Sequence, residues 1–491
     1  MEHTYYLAVD LGATSGRTVL ASFDGQKVVL RELTRFNNHI IPMSGHLYWD
    51  LPALYNEVLL ALRKIAAEHI SLTSIGIDTW GCDVVCISAD GVPIGLPYCY
   101  RDPHTDHAME EFFKRMPAEK VYELTGIQFM PFNTLFQLDT IKRAGSGALA
   151  LSDKILFIPD ALSFLLTGEA VMEYTVASTS QMLNPRTGDL APQLLEILGL
   201  PRCKFGRRVY PGETVGMLTS QVRQFTGCGA VPVVAVAGHD TASAVAAVPA
   251  RNEGFAYLSC GTWSLLGIEH SAPIITAESC RYNFTNEGGL DGTVRFLKNI
   301  CGLWLFERCR EEFTDVSRDV TTLIALCENS VYDGLVDPDW DGFAHPQSMV
   351  QAICEYCIRT GQTVPVTPID FCRCIFRSLS LRYRQVIELL QTMAPFVIQC
   401  LHVIGGGSKN RLLMQYTADA TGLAVIAGPA EGTALGNALV QMRAAGIVRS
   451  LAEMRRLSAV SVDTVIYEPH YSAVWDEAYR RFLELQRIMN K

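Results

Sequence analysis

Short apolar runs alternate along this chain with longer stretches whose apolar residues recur at helical spacing, and glycine-bearing turns separate the two. Tyr6–Val9 and Thr18–Phe23 read as strands. They are joined through Asp10-Leu-Gly-Ala-Thr-Ser-Gly-Arg17, a hairpin with a glycine- and hydroxyl-rich tip, and Asp24-Gly25 makes the next turn. Asp50 can cap a helix whose apolar positions Leu51, Leu54, Tyr55, Val58, Leu62 and Ile65 share one face. Ser74–Ile77 is a strand running into Asp78-Thr-Trp-Gly-Cys82, and Lys154–Ile158 is another, leading through Pro159-Asp160 into a helix closed by Gly168. Residues 175–230 read as irregular, with turn residues such as Asn184-Pro-Arg-Thr-Gly188 and Pro211-Gly212. The strand Val231–Val236 then meets Gly238-His-Asp240 and a helix of small residues.

After that helix the opening pattern returns. Phe255–Leu258, Ser259-Cys-Gly-Thr-Trp-Ser264 and Leu265–Ile268 make a second strand–turn–strand hairpin with a Gly-Thr tip, which suggests a duplicated domain. Leu297–Phe313 has the stripe of a helix, with Asn299 and Glu307 at polar positions. Thr367-Pro368 starts a longer helix. Leu401–Ile404 is a buried strand entering Gly405-Gly-Gly-Ser-Lys-Asn410, followed by a helix ending before Gly422, the strand Leu423–Ala427 and a helical stretch from about Glu431. Strands and helices alternate, so the fold class is α/β.

Composition narrows this. At 491 residues the chain exceeds what one core usually organises, and two domains are expected, 1–248 and 249–491. Apolar residues at 49% and charged ones at 19% suit globular cores rather than disorder. A net charge of -10 without a basic block argues against a nucleic-acid surface. No apolar run approaches the roughly 20 residues of a membrane span, and the first residues read as a strand, not a signal peptide. A cytoplasmic protein with no nucleic-acid or membrane partner is the expectation.

The candidate chemistry sits at the strand ends. Asp240 lies where open α/β sheets put their ligands; it can be a general base for a bound hydroxyl or simply a helix N-cap. The tip after Asp10 offers backbone N–H groups and hydroxyls to an anion, and Asp10 could hold a hydrated Mg²⁺, although a plain hairpin turn uses the same residues. Trp80-Gly81 would suit a polyol pocket, with a flat aromatic wall beside a bare backbone; the alternative is a core tryptophan next to a turn glycine. Three successive glycines at 405–407 would let a nucleotide lie on the backbone. No P-loop motif occurs and no G-x-G-x-x-G follows a strand, which speaks against a P-loop ATPase and an ordinary dinucleotide enzyme. Fifteen cysteines do not make a disulfide scaffold here. The cluster Cys354, Cys357, Cys372 and Cys374 could hold zinc or contain a redox-sensitive Cys357–Cys374 pair, but Cys372 shares an apolar helix face with Ile375, Phe376, Leu379 and Val386, which is the core pattern.

Taken together, DLGATSGR at 10–17, IDTWG at 77–81, AGHDTASA at 237–244, SCGTW at 259–263 and GGGSKN at 405–410 resemble the FGGY carbohydrate kinases, members of the actin-like and sugar-kinase ATPase superfamily. The likeness covers roughly residues 5–445 in the family's order. IDTWGCD, GHDTASA, LSCGTWSL and FLKNICGLWL are most similar to the branch acting on L-rhamnulose. The resemblance implies two ribonuclease H-like domains flanking an active-site cleft, and ATP-dependent phosphorylation of the 1-hydroxyl of L-rhamnulose in L-rhamnose catabolism. It further implies that Ala13, Thr14, Ser15, Gly16, Arg17 and Thr262 contact phosphates and Gly406 the adenosine, that Gly81, His239, Thr241 and Asn299 contact sugar, that Asp240 is the base, and that Asp10 faces Mg²⁺. Glu307 departs from the family, which commonly has a glutamine there on the nucleotide side; an acid would repel phosphate. The family counterpart of Cys357 and Cys374 can form a disulfide, whereas a reducing cytosol favours free thiols. A sister kinase for fuculose or xylulose, and an actin-like ATPase switch with water as nucleophile, are the rival readings. The oligomeric state, monomer or homodimer, is open at this point.

Overall fold

The computed structural model of the protein describes residues 3–313, 319–344, 346–470 and 472–489. The chain forms two compact units, Met1–Arg251 with Glu269–Phe296 and Gly432–Ser461, and Asn252–Ile268 with Leu297–Glu431 and Val462–Lys491.

The first unit is built on a six-stranded sheet in the order Thr214–Met217, Pro232–Val234, Leu72–Thr79, Thr4–Leu11, Ser15–Phe23, Val28–Asn37. Thr4–Leu11 pairs antiparallel with Ser15–Phe23, closing the predicted hairpin, and parallel with Leu72–Thr79 on its other side. Tyr6, Leu7, Ala8 and Val9 have no exposed surface, as a strand covered on both faces requires. The helix Leu51–Ala67 is capped as expected, the Asp50 carboxylate accepting from the Ala53 N–H at 3.0 Å, and it buries Leu51, Leu54, Val58, Leu62 and Ile65. Ile158–Thr167 ends on Gly168 in the left-handed conformation.

The second unit repeats the motif. Phe255–Cys260 pairs antiparallel with Trp263–His270 and parallel with Cys400–Ile404, which in turn pairs parallel with Ala424–Ala427. A hairpin whose first strand has a parallel neighbour thus opens both units, in line with duplication. A capping box of Thr367 and Asp370 starts the helix Pro368–Met393.

Two expectations are corrected. Residues 175–230 are not irregular: they contain the helices Pro192–Leu198 and Ser220–Thr226 and the strands Arg207–Val209 and Thr214–Met217. These elements are too short for their periodicity to stand out against the turn residues between them. Leu297–Phe313 is not one helix either. Val294–Cys301 is a strand, and the helix begins only at Trp304. A strand with Phe296, Leu297 and Ile300 all buried looks like a helix segment by pattern alone. Among the described residues no helix is long and apolar enough to cross a membrane. Cys357, Cys372 and Cys374 are fully buried free thiols, and no group of three His, Cys, Asp or Glu side chains among the described residues could hold a metal ion.

Candidate active site

Three aspartates converge at the C-terminal edge of the first unit's sheet. Asp10 stands opposite Arg17 across the hairpin and opposite Asp78 across the parallel pair. Arg17 donates from Nε and Nη2 to Asp10 Oδ2 at 2.8 and 2.6 Å. Asp78 is fully buried; its Oδ2 accepts from Asn437 Nδ2 at 2.5 Å and its Oδ1 has no hydrogen-bond partner. Burial, and then the charge of Asp10, push its carboxyl well above the usual aspartate range. Asp240 follows the next strand along and opens the helix Asp240–Ala246. Burial also raises its pKa, with Asp10 adding to the shift and His239 opposing it, yet the side chain keeps 31% of its surface open.

The N-cap role for Asp240 does not hold. The cap residue is His239, no side chain caps this helix, and Asp240 Oδ1 instead accepts from Thr241 Oγ1 at 3.1 Å. The turn before it is fixed from elsewhere. The Thr79 N–H donates to Gly238 O at 2.9 Å, which extends the sheet by a bridge to His239. Glu173, absent from the sequence reading, is buried and accepts from the Gly238 N–H at 2.9 Å, while Thr175 Oγ1 accepts from the His239 N–H at 3.2 Å. A Cβ on Gly238 would stand 2.8 Å from Glu173 Oε2, so this position takes glycine. The carboxylate of Asp240 therefore projects from a turn held at both ends, as a positioned base requires.

Trp80 is a core residue, not an open wall. It is 6% exposed, its ring lies 4.3 Å from that of Trp49, and Nε1 donates to Asp83 Oδ2 at 2.9 Å. Gly81 is required by packing, since a Cβ there would meet Thr179 Oγ1 at 2.6 Å. Asp83 is buried with four donors: Trp49 Nε1 at 2.5 Å, Trp80 Nε1, the Tyr100 N–H at 3.2 Å and Gln137 Nε2 at 2.8 Å. Burial outweighs these donors and pushes its pKa up to about 6. A raised folded-state pKa means that the stability from this group is complete below the ordinary aspartate range and is lost as pH rises through about 6. The expected result is a near-UV circular dichroism step near pH 6 as the tryptophan pair loses or gains a charged acceptor. An unchanged step in Asp83→Asn would rule this origin out.

The first loop is tied down by the Gly12 N–H donating to Ser15 O at 2.9 Å and the Asn38 N–H donating to Thr14 O at 3.0 Å. Thr14 is exposed, Ala13, Ser15 and Arg17 are half-buried, and Gly16 is buried, where a Cβ would meet the Phe36 ring at 2.5 Å. In the second unit, Gly261 and Thr262 form the corresponding tip. The Leu303 N–H donates to Gly261 O at 2.9 Å and the Gly302 N–H to Thr262 O at 3.2 Å, so the chain after Cys301 supports this loop from below. Asn299 lies on the strand Val294–Cys301, not on a helix, and Glu307, on the helix after it, pairs with Arg310. Of the three glycines, Gly405 and Gly407 pack against Cys260, and only Gly406 faces open space. Two of them answer to packing, and one is left for a ligand.

The first unit carries a glycine–hydroxyl loop beside a row of carboxylates at strand ends, and the second unit a glycine–hydroxyl loop of its own, features of the kind phosphoryl transfer uses. Residues 5–247 match the N-terminal domain model of the FGGY family of carbohydrate kinases, and residues 256–445 match its C-terminal domain model. The chain belongs to the FGGY family of carbohydrate kinases. It is 53% identical over 97% of its length to a rhamnulokinase of Bacteroides thetaiotaomicron, covering 98% of that protein. It is 42% identical over 98% of its length to a rhamnulokinase of Pectobacterium atrosepticum, covering 96% of that protein. Among solved structures, the FGGY kinase described here is similar to a xylulose kinase from Lactobacillus acidophilus, with a TM-score of 0.84, 15% identity and coverage of 99% of this chain and 98% of the other. A gluconate kinase from the same organism has a TM-score of 0.83 at 14% identity, again covering 99% and 98%. These structural likenesses carry the two-domain α/β fold; the enzyme class, a carbohydrate phosphotransferase, comes from the family and the closer relatives.

Proposed function

We propose that this FGGY kinase transfers the γ-phosphoryl group of ATP to the 1-hydroxyl of L-rhamnulose in L-rhamnose catabolism. The observation that carries the substrate is 53% identity to a rhamnulokinase along nearly the whole of both chains. Asp240 takes the proton of the attacking hydroxyl as the new O–P bond forms and ADP leaves. Its side chain is partly open, and the N-cap position of the helix is held by His239 rather than by Asp240. His239, Thr241, Gly81 and Asn299 are assigned to the sugar; Ala13 to Arg17 and Thr262 to the phosphates; Gly406 to the adenosine.

A divalent cation fits the donors present. Asp10 commits one oxygen to Arg17, and Mg²⁺ characteristically takes only one or two protein carboxylates, completing its shell with water and phosphate oxygens. Bound there with ATP, Mg²⁺ would neutralise charge on the transferring phosphoryl group. Glu307 is charge-balanced by Arg310, which removes the repulsion an unpaired acid would exert on a nucleotide. We keep the functional division at 1–248 and 249–491, with base and first loop in one part and second loop and adenosine motif in the other.

The product tests this reading. After incubation with MgATP and L-rhamnulose, phosphorus–proton correlation NMR is expected to place the phosphate on the C1 methylene. A phosphate on any other carbon would refute the assignment.

A further inference from the structure

Behind His239 lies a buried ion pair that neither motif nor periodicity revealed. Arg295 has no exposed surface and Glu287 is 4% exposed. Arg295 Nε donates to Gly288 O at 2.9 Å, which fixes the plane of the guanidinium. Its Nη2 donates to His239 Nδ1 at 3.2 Å and lies 3.2 Å from Glu287 Oε2. Glu287 Oε2 is 3.3 Å from the same ring nitrogen, outside good hydrogen-bond alignment; burial works against its charge, but Arg295 and His239 together hold its carboxyl below the usual glutamate range. On the other side of the imidazole, Nε2 faces Asp240 Oδ1 at 3.5 Å.

Guanidinium nitrogens only donate. A neutral imidazole carries its proton on one nitrogen, and the partner of the other decides which. With Nδ1 filled as an acceptor by Arg295, the ring proton belongs on Nε2, on the side of Asp240. Glu287 keeps the guanidinium from being a buried unpaired charge. We propose that Arg295, charge-balanced by Glu287, is a positioning residue that holds His239 as the Nε2–H tautomer, with that N–H turned toward Asp240 and toward the ketose oxygens beside it.

The proposal rests on the assignment of His239 and Asp240 to the sugar site, and a test that needs no substrate keeps the two separable. In protein labelled with ring-¹⁵N histidine, the His239 signal is identified by its loss in His239→Asn, a substitution suited to the cap position that His239 occupies. The expected spectrum has a protonated Nε2 and a bare Nδ1. A protonated Nδ1 in the wild-type protein would overturn the proposal whatever the variants do. In kinetics, Arg295→Lys keeps the charge and loses the fork. It is expected to raise the ketose KM about tenfold or more with the KM for ATP unchanged, and to add nothing further in a His239→Asn background. Additive losses in the double variant would also overturn it. If no ketose is phosphorylated at all, the functional reading falls and the spectrum still decides the tautomer.

Discussion

Asp240→Asn is expected to lower turnover about a hundredfold or more while the KM values for ketose and ATP stay within about twofold of wild type. The amide is nearly isosteric and can still accept a hydrogen bond, so ground-state contacts survive while the proton acceptor is gone. The turn that carries it does not depend on the carboxylate: Glu173, Thr175 and Thr79 hold Gly238 and His239 through the backbone. Folding should therefore be unaffected, and the loss should fall on kcat alone. Because burial and Asp10 raise the pKa of Asp240, the wild-type rate should also decline on the acid side at a pH above the ordinary aspartate range. Steady-state kinetics over pH check both statements. Near-normal turnover in the variant would remove Asp240 from the chemistry.

The largest expected effect on stability belongs to Gly436→Ala. Gly436 sits in the helix Gly432–Ala444, packed on the helix Asp240–Ala246, and an added Cβ would overlap the Ser243 carbonyl oxygen, far inside van der Waals contact. That atom is backbone within a helix and cannot swing aside as a side chain would. Overpacking of buried contacts commonly costs about 1–3 kcal/mol, and a backbone clash at a helix crossing belongs at or above the top of that range. A change that favours helix on propensity alone should thus lower the urea midpoint strongly. Gly147→Ala, where nothing lies within 4 Å, is the control and should shift it little. Equal midpoints for the two variants would show that the helices part without penalty. The clash also displaces the helix that Asp240 begins, so activity should fall before global unfolding.

What the sequence displayed and what it hid follow from distance along the chain. Asp10, Asp240, Thr262 and Gly406 stand at strand ends or turns beside glycines and hydroxyls, so local pattern is enough to nominate them for a site. Glu173, Glu287 and Arg295 act on the Asp240 turn from more than 40 positions away, and a lone buried charge in a strand has no signature in one sequence. The Leu297–Phe313 stretch misled because a strand buried on both faces loses the alternation that marks strands. For Trp80 the core alternative holds, against Trp49, and two of the glycines at 405–407, read toward a ligand, answer to packing against Cys260. Residue type shows where chemistry is possible, and only the packing shows which of those residues are left free for it.

The central claim, sugar-dependent phosphoryl transfer selective for one ketose, is tested most directly by ADP release with MgATP and a panel of L-rhamnulose, L-fuculose, D-xylulose and glycerol. The account expects strong stimulation by L-rhamnulose and background rates with the others. Steady hydrolysis of ATP that none of the four sugars stimulates would contradict it and favour an ATPase switch with water as the nucleophile.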